Sequence, residues 1–423
     1  MQSIKIPNIF GNVSKTGAFS PAVFLFNCAY CIYFFVTLLN ISFFAMYISR
    51  PILKMTIMLV LLLLCTSVLC SKKHSVKSIV LLAITGILLI VICLRMMTRI
   101  EFLPIFLFLY CARNINPEKI ARLTVIISIA VLVLVILSAQ IGIIPNYVNS
   151  AYVGGELRIR HYLGFRYALQ PSGILFNTVS MDMYLHRNNL SKYRILFWIA
   201  ASCIMFLYKD SRLSFVFSLI VIAGFIVINR FPKLLDKLTA VRILMVCSFI
   251  ICAAVSFIIA YKYNPSVQWM SDLNEALEYR LKFAHDGFQN YKLKLFGQNI
   301  RFVGNGVNAE GEKSIGVYNY IDCFYEHILL KYGIIFFVIV IIGFTVASYL
   351  SMKKKDYHLL LLFALLAVHA IIDDLVILLN YNTLWFFIMP LIAQQGYASR
   401  NKLLSLRDLI PKRKRKFRFK FTL

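Results

Sequence analysis

About twelve apolar stretches run along this chain, and each is long enough for a helix to cross a membrane. Within a bilayer only helices and closed barrels satisfy their backbone polar groups, and the continuous rather than alternating runs favour helices. The hydrophobic content of 60% and the mean hydropathy of +0.76 are far above those of a soluble protein. The sequence therefore predicts an all-α polytopic integral membrane protein.

The lysines and arginines concentrate in alternate links between the apolar stretches. The richly basic links are 72–77, 113–122, 187–194, 230–242 and 353–355, together with the tail from Arg400. Because cationic loops stay on the cytoplasmic side, this alternation predicts that both termini are cytoplasmic and that the other links face outward. The predicted spans are 22–48, 55–70, 78–94, 100–112, 120–144, 168–186, 194–208, 213–229, 242–261, 323–350, 357–376 and 382–398.

This topology divides the chain into five regions. They are the N-terminal spans 1–144, the central spans with a first outer loop 145–261, a large outer loop 262–322, the C-terminal spans 323–398 and a basic cytoplasmic tail 399–423. Within the large outer loop, apolar residues three and four apart from Trp269 to Leu281 predict an amphipathic helix. The turn-rich segment from Asn299 to Gly316 is expected to be irregular.

The net charge of +27 raises the question of a nucleic-acid partner. The basic run from Pro411 to Lys420 has the composition of an RNA-binding or nuclear-localisation patch. Directly after a final span it is better explained as an anchor to anionic lipid headgroups, with about 1 kcal/mol from each cation. We therefore expect membrane lipids, and no nucleic acid, as partners of the tail.

The sequence offers little for a metal, a cofactor or a disulfide framework. Nine of the ten cysteines, all except Cys323, lie in or beside apolar spans. The chain has no His-Glu-x-x-His motif and no Cys/His cluster, so no zinc site is expected. The adjacent acids Asp373 and Asp374 are a weak metal candidate, because neighbouring side chains on a helix point in different directions.

Two arginine-bearing outer segments are candidates for binding an anionic ligand. In the turn Lys209-Asp210-Ser211-Arg212, Arg212 enters an apolar helix at once and would point into the outer mouth of the bundle. The alternative is that Arg212 extends to lipid headgroups. The first outer loop carries Arg158, Arg160, His161 and Arg166, and clustered guanidinium groups suit phosphate, although a solvated basic loop is the simpler alternative.

A third candidate segment, Tyr318 to His327, leads directly into an apolar span. It combines two acids, one histidine and three tyrosines at the predicted membrane surface. Asp322 and Glu326 are four residues apart, so on a helix they would share one face. A carboxylate beside aromatic rings suits carbohydrate chemistry, because it can accept a hydroxyl proton while the rings seat sugars. The alternative is an interfacial aromatic belt with incidental charges.

In order and sidedness these segments resemble bacterial polysaccharide polymerases of the Wzy type and, more distantly, the O-antigen ligases. The resemblance extends from Ser150 to Tyr349. The family's frequent His-Pro-Asn after Gly-Phe is absent, and Arg166-Tyr167-Ala168 stands in its place. The pieces that carry the resemblance are Arg160-His161-Tyr162-Leu163-Gly164-Phe165, Asp210-Ser211-Arg212, Glu278-Tyr279-Arg280, and Ile321-Asp322-Cys323-Phe324-Tyr325 leading to Lys331-Tyr332-Gly333-Ile334-Ile335.

The resemblance implies a bundle similar to the GT-C glycosyltransferases in the bacterial inner membrane, without metal or cofactor. A glycan would leave its polyprenyl-pyrophosphate carrier and join a sugar hydroxyl on a new carrier-linked repeat unit with inversion, beside a flippase and a chain-length regulator. Arg212 and Arg280 match arginines that would bind the pyrophosphate. Asp322 stands where ligase-like members have a histidine base. Further candidates for the base or for substrate contacts are Arg158, Arg160, His161, Arg166, His285, Tyr325 and His327.

Two other functions stay open at this point. A flippase or other transporter of the same lipid-linked sugars would place charges near the bilayer midplane and would often show inverted repeats. The spans between residues 22 and 144 contain almost no internal charge, and the polar residues gather at one face, which favours an enzyme. An O-antigen ligase is the third possibility, and the aspartate at position 322 argues against it.

Overall fold

The apolar stretches form helices that pack side by side. This computed structural model describes residues 20–71, 76–96, 103–153, 156–209, 211–313 and 315–394. The basic tail 399–423 and the basic link 72–75 lie outside the described residues. The helices are α1 (Pro21–Asn40), α2 (Arg50–Cys70), α3 (Val76–Met96), α4 (Leu103–Ala112), α5 (Pro117–Gln140), α6 (Gln170–Leu185), α7 (Lys192–Lys209), α8 (Arg212–Arg230), α9 (Leu234–Lys237), α10 (Thr239–Val246), α11 (Ser248–Tyr261), α12 (Gln268–Ala276), α13 (Arg280–Asn290), α14 (Phe324–His327), α15 (Ile334–Lys353), α16 (Tyr357–His369) and α17 (Trp385–Gln394).

Five of the described helices are long and apolar enough to cross a membrane, namely α1, α2, α5, α8 and α15. The pair α10 and α11, bent by 65° at one residue, would make a sixth crossing. Each remaining predicted span contains a shorter helix or a helix described only in part. This helical content agrees with the predicted all-α membrane protein, whereas the count of twelve crossings stays a prediction.

Two of the predicted spans are interrupted near the same end of the bundle. The span predicted at 323–350 contains the short helix α14, a π turn at Ile328–Tyr332 and then α15. Gly333 separates the last two with φ of +92°, a left-handed conformation that favours glycine. The span predicted at 357–376 ends as a helix at His369, and a 3₁₀ turn follows at Asp374–Ile377. Both breaks place polar residues outside regular helix.

The first outer loop contains a β-hairpin that the sequence analysis did not predict. Strands β1 (Val148–Val153) and β2 (Glu156–His161) pair antiparallel, with Asn149 opposite Arg160. After the hairpin, the carbonyl of Gly164 accepts the N–H of Phe43 at 2.8 Å, which ties this loop to the end of α1.

We predicted a single amphipathic helix from Trp269 to Leu281, and this prediction is wrong in one respect. The structure has two helices here, α12 and α13, separated by a turn. Between them Glu278 and Tyr279 have φ of +53° and +66°, a left-handed conformation that is uncommon for residues other than glycine. Asn274 closes this turn, since its carbonyl accepts the N–H of Tyr279 at 2.8 Å and its side-chain oxygen accepts that of Lys282 at 2.9 Å. The turn places Arg280 at the first position of α13.

The core between the helices combines aromatic packing with a short polar chain. Phe26, Tyr30, Phe34, Phe108 and Phe386 are all fully buried and pack ring against ring. The Tyr30 hydroxyl lies 2.6 Å from the Thr124 hydroxyl, which is 3.2 Å from that of Thr383. Buried polar groups need such partners, so this chain links α1, α5 and the segment before α17.

Candidate active-site cavity

A cavity of about 540 Å³ lies where the hairpin, the α12–α13 turn and the two chain breaks meet. Four residues that the sequence analysis singled out come to its lining from separate parts of the chain: Arg160, Arg212, Arg280 and Asp322. The other lining residues are Tyr167, Leu169, Ser211, Leu213, Ser214, Val216, Glu275, Ala276, Leu277, Glu278, Ile372, Asp373, Asp374 and Leu375. The wall thus joins three guanidinium groups, five carboxylates and an apolar surface.

Arg280 and Asp322 form the most enclosed charged pair of this cavity. The Arg280 Nε atom lies 3.9 Å from Asp322 Oδ2, and each side chain is 17% exposed. The Tyr318 hydroxyl donates to the same carboxylate oxygen at 2.8 Å. Burial raises the pKa of Asp322 above its usual range, although Arg280 and the Tyr318 hydrogen bond oppose that rise. A carboxylate with a raised pKa is better suited to accept a proton.

Arg160 brings the hairpin against the strained turn between α12 and α13. Its Nη2 atom lies 3.1 Å from Glu278 Oε1, and the side chains are 22% and 35% exposed. Arg160 Nε is buried with no hydrogen-bond partner among the described residues. The Glu278 backbone is in the left-handed region that side chains rarely adopt, and such strain concentrates at functional sites. This pair therefore joins the hairpin to the α12–α13 turn across the cavity edge.

Arg212 enters the cavity from the first residue of a nineteen-residue helix, α8. The preceding Ser211 is 5% exposed and also lines the cavity, whereas Asp210 lies outside the described residues. The N-terminus of a long helix carries partial positive charge and unsatisfied N–H groups, which favour an anion. The Arg212 side chain and the N-terminus of α8 therefore both favour the binding of an anion.

Asp373 and Asp374, which the sequence analysis gave as a weak metal candidate, both line the cavity. The expectation that they point in different directions assumed a helix, but the helix ends at His369, before them. Asp374 is 6% exposed and accepts the Tyr320 hydroxyl at 2.7 Å, and Asp373 accepts the N–H of Leu375 at 2.8 Å. Burying two adjacent carboxylates in an apolar stretch costs free energy, and such residues are usually functional. Their presence in the predicted span was therefore the sequence signal for a functional role.

Two other candidate residues, His161 and Arg166, make contacts away from the cavity lining. The His161 ring packs edge-on against Tyr208 at 6.1 Å between centroids. Arg166 Nη2 donates to the carbonyl of Asn40 at 2.6 Å. The Arg158 side chain lies outside the described part of the chain. These contacts give His161 and Arg166 roles in holding the first outer loop to the bundle.

The remaining candidates lie outside the cavity lining; Tyr325 and His327 are buried, and His285 is half-buried. His285 Nδ1 lies 2.9 Å from the carbonyl oxygen of Ala260, and the Tyr325 hydroxyl donates to that of Ala367 at 2.7 Å. His327 is 3% exposed, and its Nδ1 atom lies 3.7 Å from Asp374 Oδ2. Of these three, His327 is the one that contacts a cavity residue.

Asp322 and Glu326 do not share a helix face, contrary to expectation. Helix α14 begins at Phe324, so Asp322 precedes it in extended chain. Glu326 is completely buried, and its Oε1 atom accepts the Ser256 hydroxyl at 2.6 Å. The residue that lines the cavity is therefore Asp322, while Glu326 joins α14 to α11.

The residues of the cavity lining determine which ligands it can bind. No protein-family model matches this chain, and the comparisons with curated proteins and with solved structures found no match either. Within the described ranges, no three His, Cys, Asp or Glu side chains converge in a way that could hold a metal ion. The cavity offers guanidinium groups for an anion, carboxylates for hydroxyl groups and an apolar wall for a lipid.

Proposed function

We propose that this protein polymerises polyprenyl-pyrophosphate-linked oligosaccharide repeat units into a surface polysaccharide, as an inverting glycosyltransferase without a metal. The observation that carries the proposal is the meeting of Arg160, Arg212, Arg280 and Asp322 at one cavity of a bundle of apolar helices. These residues come from the same pieces of sequence that resemble the Wzy-type polymerases. The substrate would be a lipid with a diphosphate and sugars, and the lining has groups for each part.

The donor's diphosphate would bind to the guanidinium groups. Arg280 is largely enclosed, so it can hold phosphate oxygens with little competition from water, and Arg212 stands at a helix N-terminus that also favours an anion. As the bond between the sugar C1 and the phosphate oxygen breaks, negative charge grows on the leaving diphosphate. Fixed positive charges at that place lower the barrier, and the leaving group then needs no proton.

The acceptor hydroxyl would lose its proton to a carboxylate of the same cavity. Asp322 is the residue that we assign to this step, because its pKa is raised by burial while Arg280 and Tyr318 fix its position. The acceptor oxygen forms a bond to C1 on the face opposite the diphosphate, and its proton passes to the carboxylate. One base suffices for this inverting displacement.

The apolar part of the lining supports a lipid-borne substrate. Leu213 and Val216 follow Arg212 on α8, so an apolar surface adjoins this arginine. An isoprenoid chain is hydrocarbon, so it would contact such a surface while the diphosphate stays at the arginines. Because Arg212 also begins one of the helices that are long enough to cross a membrane, the diphosphate would lie at the end of a span.

The test is a deletion of the gene, followed by gel and mass-spectrometric analysis of lipid-linked and surface glycans. We expect loss of polymer while single repeat units persist, outside the cell or capped on an acceptor. Complementation should restore polymer with the wild type and with Arg301→Ala, an exposed arginine of the outer loop outside the cavity lining, but not with Arg212→Ala. Repeat units trapped on the inner leaflet would indicate a flippase instead, and unchanged glycans would refute both functions.

A further inference from the structure

The charges of the cavity bear on which sugar its acceptor side can take. Two of the five carboxylates lie beside arginines, since Glu278 is paired with Arg160 and Asp322 with Arg280. Asp373 differs from them, because no arginine or lysine among the described residues lies within ion-pair distance of it. Arg280 acts on Asp373 electrostatically from beyond that distance, so no arginine or lysine of the described residues contacts this carboxylate directly.

Asp373 is contacted by a backbone N–H and by a histidine ring. Its Oδ1 atom accepts the backbone N–H of Leu375 at 2.8 Å, which caps the 3₁₀ turn after the chain break. Its Oδ2 atom lies 3.5 Å from Nε2 of His369, and the Asp373 side chain is 20% exposed. The hydrogen bond from Leu375 thus fixes the Asp373 carboxylate, which remains part of the cavity lining.

The His369 ring beside this carboxylate is tightly packed. The ring is 4% exposed and lies between Phe176 and Phe217, with centroid distances of 5.1 and 5.3 Å. Neither ring nitrogen has a hydrogen-bond partner in the described part of the chain. A buried polar group without such a partner is costly, so its position beside Asp373 indicates a role in fixing the cavity wall.

We propose that Asp373 makes the acceptor side of the cavity selective for sugars that are neutral or carry an amino group, and against acidic sugars such as uronic acids. The carboxylate accepts hydrogen bonds from sugar hydroxyls or from an ammonium group. A sugar carboxylate in the same place meets the charge of Asp373, which no arginine or lysine of the described residues contacts directly, and such repulsion is an effective way to reject a competitor. The inference rests on the proposed function, because it specifies the acceptor of the same site.

The size of the expected discrimination follows from the charges. Like charges about 6 Å apart at an effective dielectric constant of about 20 change a binding constant about a hundredfold. Asp373 is partly exposed, so water and salt screen this repulsion. The expected preference for a neutral acceptor over the matching acidic one is therefore about tenfold or more.

The experiment uses the full-length protein in nanodiscs with lipid-linked repeat units extracted from the deletion strain. Half of the material is used as extracted, and in the other half the primary alcohols of the sugars are oxidised to carboxylates. The measured quantity is the ratio of the two elongation rates, which does not depend on the amount of active protein. Asp373→Asn removes the charge and keeps the oxygen that accepts from Leu375, Asp373→Glu keeps the charge, and Asp272→Asn is the same change at an exposed position of α12 outside the cavity.

We expect the wild type, Asp373→Glu and Asp272→Asn to prefer the unoxidised units by about tenfold or more, and Asp373→Asn to lower that ratio to within about threefold. An unchanged ratio in Asp373→Asn would overturn the inference while the proposed function stands. An acidic sugar at the acceptor end of the native repeat unit would overturn it as well. No elongation by the wild type would instead refute the proposed function, and the inference with it.

Discussion

The Tyr318 hydroxyl gives a direct way to test whether Asp322 is the base. It donates to Asp322 Oδ2 at 2.8 Å, while its ring packs against Phe283 with 4.7 Å between centroids. The change Tyr318→Phe keeps the ring and removes only the hydrogen bond. Since that hydrogen bond favours the ionised carboxylate, its loss should raise the pKa of Asp322 further above the usual range, where burial already holds it.

The expected magnitude follows from the strength of such a bond. A hydrogen bond to a charged group contributes about 1.5–3 kcal/mol, and about 1.4 kcal/mol corresponds to one pKa unit, so the upper limit is about two units. The Asp322 side chain is 17% exposed, so water can replace part of the lost interaction. Arg280 remains beside the carboxylate in the variant. We therefore expect a rise of about one unit.

The assay is elongation of lipid-linked repeat units in nanodiscs between about pH 4 and pH 9. A base works in its ionised form, so the rate should rise with pH through the pKa of Asp322. In Tyr318→Phe this rise should occur about one pH unit higher, with a similar rate at the plateau. Tyr291→Phe, the same change outside the cavity lining, should leave the profile unaltered. A rise at the wild-type pH, or at a lower pH, would refute the assignment of Asp322 as the base.

Four further changes test the site and the fold. Arg212→Ala and Arg280→Ala should each lower the elongation rate at least about a hundredfold while the protein still reaches the membrane, and normal polymer from both would exclude a diphosphate-binding role. His285→Gln should keep more than about half of the rate, because the imidazole contacts a carbonyl of α11 rather than the cavity. Gly333→Ala should lower the free energy of unfolding by about 3 kcal/mol or more, measured by thermal unfolding in detergent, since φ is +92° and a Cβ would lie 2.3 Å from a backbone nitrogen.

The helices and the arginines of the cavity could be anticipated from the sequence. Long apolar runs predict helices because the membrane leaves the backbone no other partners, and each predicted span contains one. Arg212 ends a short charged segment between two such runs in the sequence, and it begins α8 as that spacing predicts. The sequence analysis singled out Arg160 and Asp322 as charged residues in segments predicted to face outward, and Arg280 through the family resemblance. All three line the same cavity as Arg212.

The interruptions inside helices could not be predicted in the same way. Glu278 and Tyr279 are not residues that favour a left-handed backbone, and the turn depends on Asn274 accepting from two N–H groups further along the chain. The end of α16 before Asp373 depends on contacts with other parts of the chain too, because the sequence there remains mostly apolar. At these places tertiary contacts outweigh the helical preference of the local sequence.

These interruptions and the cavity have a common physical origin. Helix starts or breaks at Arg212, Glu278, Phe324 and after His369 all contribute to the lining or adjoin it. Irregular backbone near a bilayer is stable only where protein or a polar cavity satisfies its N–H and C=O groups. A helix that continued through Asp373 would turn one of the two adjacent acids away from the cavity, whereas the break lets both contribute to the wall. The strain at Glu278 and the buried ring of His369 are therefore best understood as costs of assembling charged groups at one place, and the rest of the bundle offsets them.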